Sequence, residues 1–362
     1  MKVLTIFGTR PEIIRLSRVI DRLDRLCDHV LLHTGQNYDP ALSEMFFAEL
    51  GVRLPDHRLT LRASGFAEQA GQMLSQFGKA FDDIKPDRVL ILGDTNSGLA
   101  AIIAARLGIP VFHMEAGNRC FDDRVPEEIN RRIIDHCSTI LLPYTHRSKE
   151  NLLREGIALQ RIFVTGNPIR EVLDHYARQI AESRILTKLG VEQGRFFLAT
   201  LHRAENVDDP DRLHRLFRGL SLVADSFDAP LVVSVHPRTR DRLQHAAFGD
   251  LSPKLRLAEP FGFFDFVRLE QSARAVLSDS GTVQEECCIF GVPNVTVRDV
   301  TERPETIEAG SNILTGSDPD DIHMAMQVAL DTYHAWPVPA EYLATDVSQI
   351  VAKILLSHHE RL

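Results

Sequence analysis

Only five of the 362 residues are cysteines: Cys27, Cys120, Cys137, Cys287 and Cys288, an odd number with no CxxC pair. That speaks against a disulfide framework or a cysteine zinc site, and reads as reduced thiols in a cytoplasmic protein. The chain also lacks positive charge. A net charge of −9 is the opposite of what general affinity for nucleic acid or a membrane surface needs, since both depend on basic patches. No apolar run approaches the ~18 residues of a membrane span. The short run Lys2–Gly8 is too brief for a signal-peptide core and reads as a first strand. Neither GxGxxG nor GxxxxGK[ST] occurs, which argues against hydride transfer to NAD and against P-loop hydrolysis. Internal repeats and low-complexity tracts are absent too.

What the sequence does contain is alternation. Short apolar runs at Val3–Phe7, Val30–His33, Val89–Gly93, Val111–Met114, Thr139–Leu142 and Ile162–Thr165 predict strands in the first half. Helical patterns at Pro11–Arg25, Ala41–Leu50, Ala67–Asp83, Ser97–Leu107 and Glu127–Cys137 lie between them. The second half repeats the logic. Strands are predicted at Phe196–Leu201, Leu231–Val235, Leu255–Ala258, Ala275–Leu277 and Asn294–Val297, with helices at Pro210–Ala224, Arg238–His245, Phe264–Glu270 and Val283–Phe290. This is the pattern of right-handed βαβ units, and it implies an α/β chain of two doubly wound, Rossmann-like domains. We expect an N-terminal domain over 1–170 and a C-terminal domain over 171–345, joined by a linker inside Ile169–Gln193. A C-terminal helix over 346–362 is expected to pack back on one of them.

Chemistry collects just after the apolar runs, where open α/β sheets bind ligands. Asp94 follows VLILG, Glu115 follows PVFHM, His202 follows FFLATL and Ser280 follows AVLSD. The turn Asp279-Ser280-Gly281-Thr282 joins a strand to a helical pattern, a junction that aims free N–H groups at an anion; an ordinary N-cap is the competing use. The turn Gly8-Thr9-Arg10-Pro11 has the same form, and Arg10 suits a phosphate. Asp94, Glu115, Glu127 and Glu128 each have a structural alternative as capping groups. Taken together, several carboxylates beside a phosphate turn point to proton transfer. The spacings Asp209–Asp211 and Asp318–Asp320 start helical patterns away from these ends, which makes metal binding the weaker use. His202 and His236 could neutralise phosphate or act as acids, with a turn role as the alternative for His236. Glu286, one turn beyond Ser280, suits sugar hydroxyls, and Arg303 suits phosphate or sugar. For Arg298 and Arg303 alike the alternative is surface ion pairing. Asn37 and Tyr38 lie in a loop with no assigned purpose.

Eight motifs in one order then become specific. GTRPE at 8–12, GDTNS at 93–97, MEAGNR at 114–119, PEEINRR at 126–132, TGNP at 165–168, HRAEN at 202–206, DSGTVQEE at 279–286 and RDVTERPE at 298–305 run over nearly the whole chain. Together they resemble the bacterial non-hydrolysing UDP-N-acetylglucosamine 2-epimerase family. The resemblance implies a glycosyltransferase-B-type architecture with an interdomain cleft, and a UDP-sugar substrate. It implies removal of the C2 proton, anti elimination of UDP to a 2-acetamidoglucal, and re-addition after reprotonation on the other face, with no redox cofactor and no obligatory metal. It places Asp94, Glu115, Glu127 and His202 as catalytic residues. Arg10, Arg131, Ser280, Glu286 and Arg303 fall on the family's UDP-sugar ligands, with Arg15 beside them; His236, Gly281 and Thr282 join this binding set from their own turn and strand-end chemistry, and the resemblance suggests a homodimer. Arg15 stands where the family usually has lysine.

The segment QNYDPALSEM replaces a Gln-His segment that many relatives associate with allosteric substrate binding. Several stretches, among them HTGQNYD, NRCFDDRVPEEINRR, PFGFFD and VHPRTR, resemble the branch that forms UDP-N-acetyl-L-fucosamine from a UDP-2-acetamido-2,6-dideoxy-L-talose. The competing readings are a hydrolysing epimerase, a glycosyltransferase on the same fold, and a non-catalytic nucleotide-sugar sensor.

Overall fold

Val3 to Phe7 are all buried, the mark of a strand covered on both faces. In the computed structural model, which describes residues 1–36, 40–62, 65–235, 239 and 251–358, that strand lies at the centre of the first sheet. Its strands are β1 (Lys2–Phe7), β2 (Asp28–His33), β3 (His57–Arg58), β4 (Arg88–Leu92), β5 (Val111–Met114) and β6 (Ile140–Leu142), in the order β3-β2-β1-β4-β5-β6. All pairings are parallel, with Leu4 opposite Val30 on one side and Val89 on the other. The second sheet holds β7 (Phe197–Leu201), β8 (Leu231–Val235), β9 (Leu255–Ala258), β10 (Ala275–Ser278), β11 (Asn294–Thr296) and β12 (Asn312–Leu314), in the order β12-β11-β10-β7-β8-β9. Counted from its own first strand, each sheet has the doubly wound order 3-2-1-4-5-6. The predicted fold class is therefore observed. Its topological switch points fall between β1 and β4 and between β7 and β10, where ligands of such sheets bind.

The chain divides into two compact units. Unit 1 is Met1–His175 with Ala340–Leu362, and unit 2 is Tyr176–Pro339. In unit 1, Leu4, Ile6, Val89 and Ile91 bury against Met73, Phe77 and Phe81 of the helix Phe66–Ile84. The helix Val347–Ser357 packs on Arg10–Leu26, where Arg22 Nε donates to Ser348 Oγ at 3.1 Å. In unit 2 the pleat sorts β7 by parity. Phe197, Ala199 and Leu201 enter one core, while Leu198, with Phe196 just before the strand, enters the other. Among the described residues no helix is long and apolar enough to cross a membrane.

Some elements differ from expectation. Ile162–Thr165 is not a strand: it touches β6 through a single bridge, Leu141 with Ile162, and then leaves the sheet edge. The edge strands β3 and β12 escaped prediction: β3 is two exposed polar residues, and β12, Asn-Ile-Leu, is only partly buried. The pattern from Ser97 begins as a 3₁₀ turn, Asn96–Leu99, and becomes α-helical only at Ala100. The predicted helix Arg238–His245, together with His236, Asn37 and Tyr38, lies outside the described residues.

Candidate active site

At the β1/β4 switch point the first helix starts inside a closed hydrogen-bond set. Pro11 sits in its first turn, and Glu12, three residues past Thr9, reaches back to the turn. Glu12 Oε2 accepts from the amides of Gly8 at 2.6 Å and Thr9 at 2.8 Å, and Oε1 accepts from Thr95 Oγ1 at 2.7 Å. The anion position of this turn is therefore filled by the chain's own carboxyl. Burial pushes Glu12 up to about 7, against the opposing pull of those hydrogen bonds. Gly8 is crowded as well, since a Cβ there would stand 2.0 Å from Thr34 Oγ1. Arg10 begins the helix, half-buried, with its guanidinium 5.7 Å from the Phe46 ring centroid.

The strand-end acids are each held by an arginine. Arg131 donates to Asp94 Oδ2 through Nε at 2.9 Å and Nη2 at 2.6 Å, and to Glu128 Oε2 through Nη1 at 2.8 Å. Arg15 Nη1 donates to Glu115 Oε2 at 2.9 Å, and Asn118 Nδ2 donates to Glu115 Oε1 at 3.1 Å. Both arginine side chains are only 2 % exposed, whereas Asp94 keeps 25 % and Glu115 11 % of theirs open. A buried arginine in each place fixes a carboxylate that stays partly exposed. Glu115 also has φ +65°, a left-handed conformation uncommon outside glycine, with a cost of order 1–3 kcal/mol. The capping alternative for Asp94 does not apply, because Thr95 Oγ1 takes the Ser97 amide at 3.2 Å. Glu127 is half-buried in the first turn of the helix Pro126–Cys137. Its neighbour Glu128 is fully buried: burial raises its carboxyl, but the Cys120 amide and Arg131 outweigh that and leave it below the ordinary range.

In unit 2, His202 directly follows β7 and Asp279 directly follows β10, neighbouring strands at the second switch point. His202 Nδ1 lies 3.0 Å from Asp279 Oδ1. The carboxylate also accepts from the amides of His202 and Arg203, each at 3.0 Å, and from Asn206 Nδ2 at 3.1 Å. Burial alone would raise Asp279, but His202 and these donors hold it far below the usual carboxylate range. An ionised Asp279 can only accept, so Nδ1 of His202 carries the proton and Nε2 faces outward on a side chain 42 % exposed.

Ser280 N-caps the helix Gly281–Phe290 without a side-chain cap bond, because its hydroxyl pairs with Thr282 Oγ1 at 2.8 Å. Arg303 is buried beside this turn. A Cβ on Gly281 would meet Glu302 Oε1 at 2.7 Å and Arg303 Nη2 at 3.7 Å. Arg303 Nε donates to Glu285, and Glu286 is buried one turn further along. Unit 1 thus gathers Arg10, Arg15, Asp94, Glu115 and Arg131, with Glu127 in the first turn of the helix that supplies Arg131. Unit 2 gathers His202, Ser280, Gly281, Thr282, Glu286 and Arg303.

The structure adds residues that sequence reasoning gave no role: Glu12, Asn118 and Glu285, and Asp279, named there only as part of its turn. A signal existed for two of them. Glu12 completes a T-x-x-E capping box, and Asp279 opens the same DSG turn that supplied Ser280.

The profile of the UDP-N-acetylglucosamine 2-epimerase family matches residues 21–356. The chain belongs to this family. It is 42% identical to the UDP-N-acetylglucosamine 2-epimerase of Methanocaldococcus jannaschii, over 94% of this chain and 95% of that protein. It is 38% identical to the UDP-2,3-diacetamido-2,3-dideoxy-D-glucuronate 2-epimerase of Pseudomonas aeruginosa, over 91% and 92%. Among solved structures, the Methanocaldococcus jannaschii UDP-GlcNAc 2-epimerase in complex with UDP-GlcNAc and UDP superposes with a TM-score of 0.93 at 39% identity, covering 99% of this chain and all of that one. Members of the UDP-N-acetylglucosamine 2-epimerase family are isomerases, and this chain is one of them.

Proposed function

We propose that this chain inverts C2 of a UDP-2-acetamidosugar without releasing the free sugar. The observation that carries the reading is the pair of arginine-held carboxylates, Asp94 and Glu115, on the ends of neighbouring strands β4 and β5. Epimerisation must take a proton from one face of C2 and deliver one to the other, so it needs more than one proton-transfer group near that carbon.

The chemistry balances as elimination and re-addition. A carboxylate takes the C2 proton, and the electrons of that C–H bond form a C1=C2 double bond. The C1–O bond breaks, with its electron pair leaving on UDP. Return of UDP to C1, with protonation of C2 from the opposite face, gives the epimer.

We assign Asp94, Glu115 and Glu127 to the sugar. His202, its outward Nε2 fixed by Asp279, serves the departing diphosphate. Ser280, Gly281 and Thr282 at the helix start, with Arg303, serve the phosphates, and Glu286 the hydroxyls of the nucleotide end. Arg10 stays with the ligand, and His236 keeps its nucleotide role on the sequence alone. Arg15 and Arg131 act through Glu115 and Asp94.

A panel of UDP-2-acetamidosugars followed by NMR tests the reading: UDP-N-acetylglucosamine, the 2,6-dideoxy-L-talose sugar, and the diacetamidoglucuronate. One member should convert to its C2 epimer while free UDP stays catalytic in amount. Stoichiometric free UDP would point instead to hydrolysis. We further propose a homodimer, which light scattering tests, and a cytoplasmic location, which fractionation tests.

A further inference from the structure

One buried ionisable group in unit 1 has no part in the roles above. His113, on β5 two residues before Glu115, is 1 % exposed. Its Nδ1 lies 2.8 Å from Asp135 Oδ1 and its Nε2 lies 2.9 Å from the carbonyl oxygen of Gly93. A carbonyl oxygen can only accept, and so can an ionised carboxylate. Asp135 is ionised: burial raises its carboxyl, but His113 and the Arg119 guanidinium outweigh burial and hold it below the usual range. The ring is thus held at both nitrogens, by Asp135 on one side and by the Gly93 carbonyl on the other.

What the ring joins gives it a purpose. Gly93, at φ +77°, immediately precedes Asp94. On the other side Asp135 Oδ2 accepts from the Gly117 amide at 3.1 Å, two residues past Glu115, and from Arg119 Nη2 at 2.8 Å. Arg119 in turn reaches Glu155 through Nε at 2.8 Å, and its Nη1 donates to the carbonyl of Asn118 at 2.8 Å. Asn118 is the residue that donates to Glu115. The turn bearing Asp94 and the turn bearing Glu115 are therefore tied to one ring.

We propose that His113 is a positioning residue: a buried ring, bridged to Asp135 and to the Gly93 carbonyl, that sets the spacing of Asp94 and Glu115. This rests on the C2-epimerase reading. A misplaced reacting group costs on the order of 10²-fold in rate, so the effect belongs in kcat.

Two isosteres dissect the tie. In His113→Gln the amide nitrogen reaches the place of Nε2 and keeps the Gly93 bond; in His113→Asn it reaches the place of Nδ1 and keeps the Asp135 bond. Each keeps one anchor and loses the other. We expect both to lower the rate of C2 proton exchange by roughly 10- to 100-fold, with His113→Ala lower still. The KM for the UDP-sugar and the affinity for UDP should move by less than about threefold. Near-normal kcat in the Gln or Asn variant, or a loss confined to KM, would overturn the proposal.

A second readout is independent of variant folding. In the ¹⁵N-histidine spectrum of the wild-type chain, the ring lost in His113→Gln should show both nitrogens hydrogen-bonded and shielded from solvent exchange. A His113 ring with a nitrogen open to solvent would also overturn it. Failure of the wild-type chain to exchange the C2 proton of any UDP-2-acetamidosugar counts against the epimerase reading; a solvent-open ring nitrogen counts against this one.

Discussion

At the residue scale, the acids are separated by what surrounds them. Glu12 has its carboxyl near 7 instead of the ordinary 4.5, so the folded chain holds that proton more tightly than the unfolded one. Its contribution to stability is fully present below the ordinary value and is lost as pH rises through about 7, a difference on the order of 3 kcal/mol at most. Glu12→Gln should therefore flatten the pH dependence of stability between these values. Urea midpoints of both proteins at mildly acidic and mildly alkaline pH check this, and parallel curves would refute it.

Asp94 and Asp279 give a contrasting pair. Asp94→Asn keeps the shape but removes the base held by Arg131, and should lower kcat by roughly 10²–10⁴-fold while UDP still binds. Asp279→Asn leaves His202 in place but frees its tautomer. We expect a loss in kcat approaching that of His202→Ala itself, which steady-state kinetics on the two variants would compare. A near-normal Asp279→Asn would mean that His202 does not depend on its buried partner.

At the scale of elements, the turns after the strands are where the chain has least freedom. Gly117 has φ +78°, and a Cβ there would stand 2.2 Å from the Ser148 carbonyl oxygen. Gly117→Ala should cost more than about 2 kcal/mol in denaturant melts and disturb the Glu115–Asn118 turn. Gly281→Ala drives a Cβ against Glu302, which holds Arg298 at 2.9 Å and Arg203 at 3.4 Å, so it should weaken UDP binding with smaller effects on folding.

The same turns explain what could be read from the sequence. Ten of the strands were legible because buried parallel strands are unbroken apolar runs ended by polar residues, and the strand-end chemistry was legible for the same reason. β3, two exposed polar residues, and the partly buried edge β12 were not. The partners of the acids were hidden too. Arg131 is four residues past Glu127 in sequence, yet it spans 37 positions to reach Asp94, and Arg15 spans 100 to reach Glu115. Sequence spacing names such residues as candidates for the ligand; only the fold shows them bound to the acids.

At the scale of the molecule, two units of equal strand order carry unlike turns. The first unit fills the anion position of its β1 turn with Glu12 and arms its strand ends with Asp94 and Glu115. The second leaves its β10 turn to Ser280 and Gly281 without a side-chain cap bond. We therefore propose that the nucleotide belongs with unit 2. UDP alone should slow amide exchange near His202–Asn206 and Asp279–Phe290 and leave β4 and β5 largely unchanged. At about 100 times its dissociation constant it should stabilise unit 2 by about 2.7 kcal/mol. Protection confined to unit 1 would reverse the assignment.

The central claim, proton exchange at C2 with UDP retained, has a direct measurement. The chain is incubated in D2O with its UDP-2-acetamidosugar, and the recovered nucleotide sugars are examined by NMR and mass spectrometry. The account predicts one deuterium at C2 in both epimers, no label at other carbons, and no accumulation of free UDP. Epimers that form without deuterium at C2, or substrate recovered unlabelled after long incubation with every member of the panel, would contradict it.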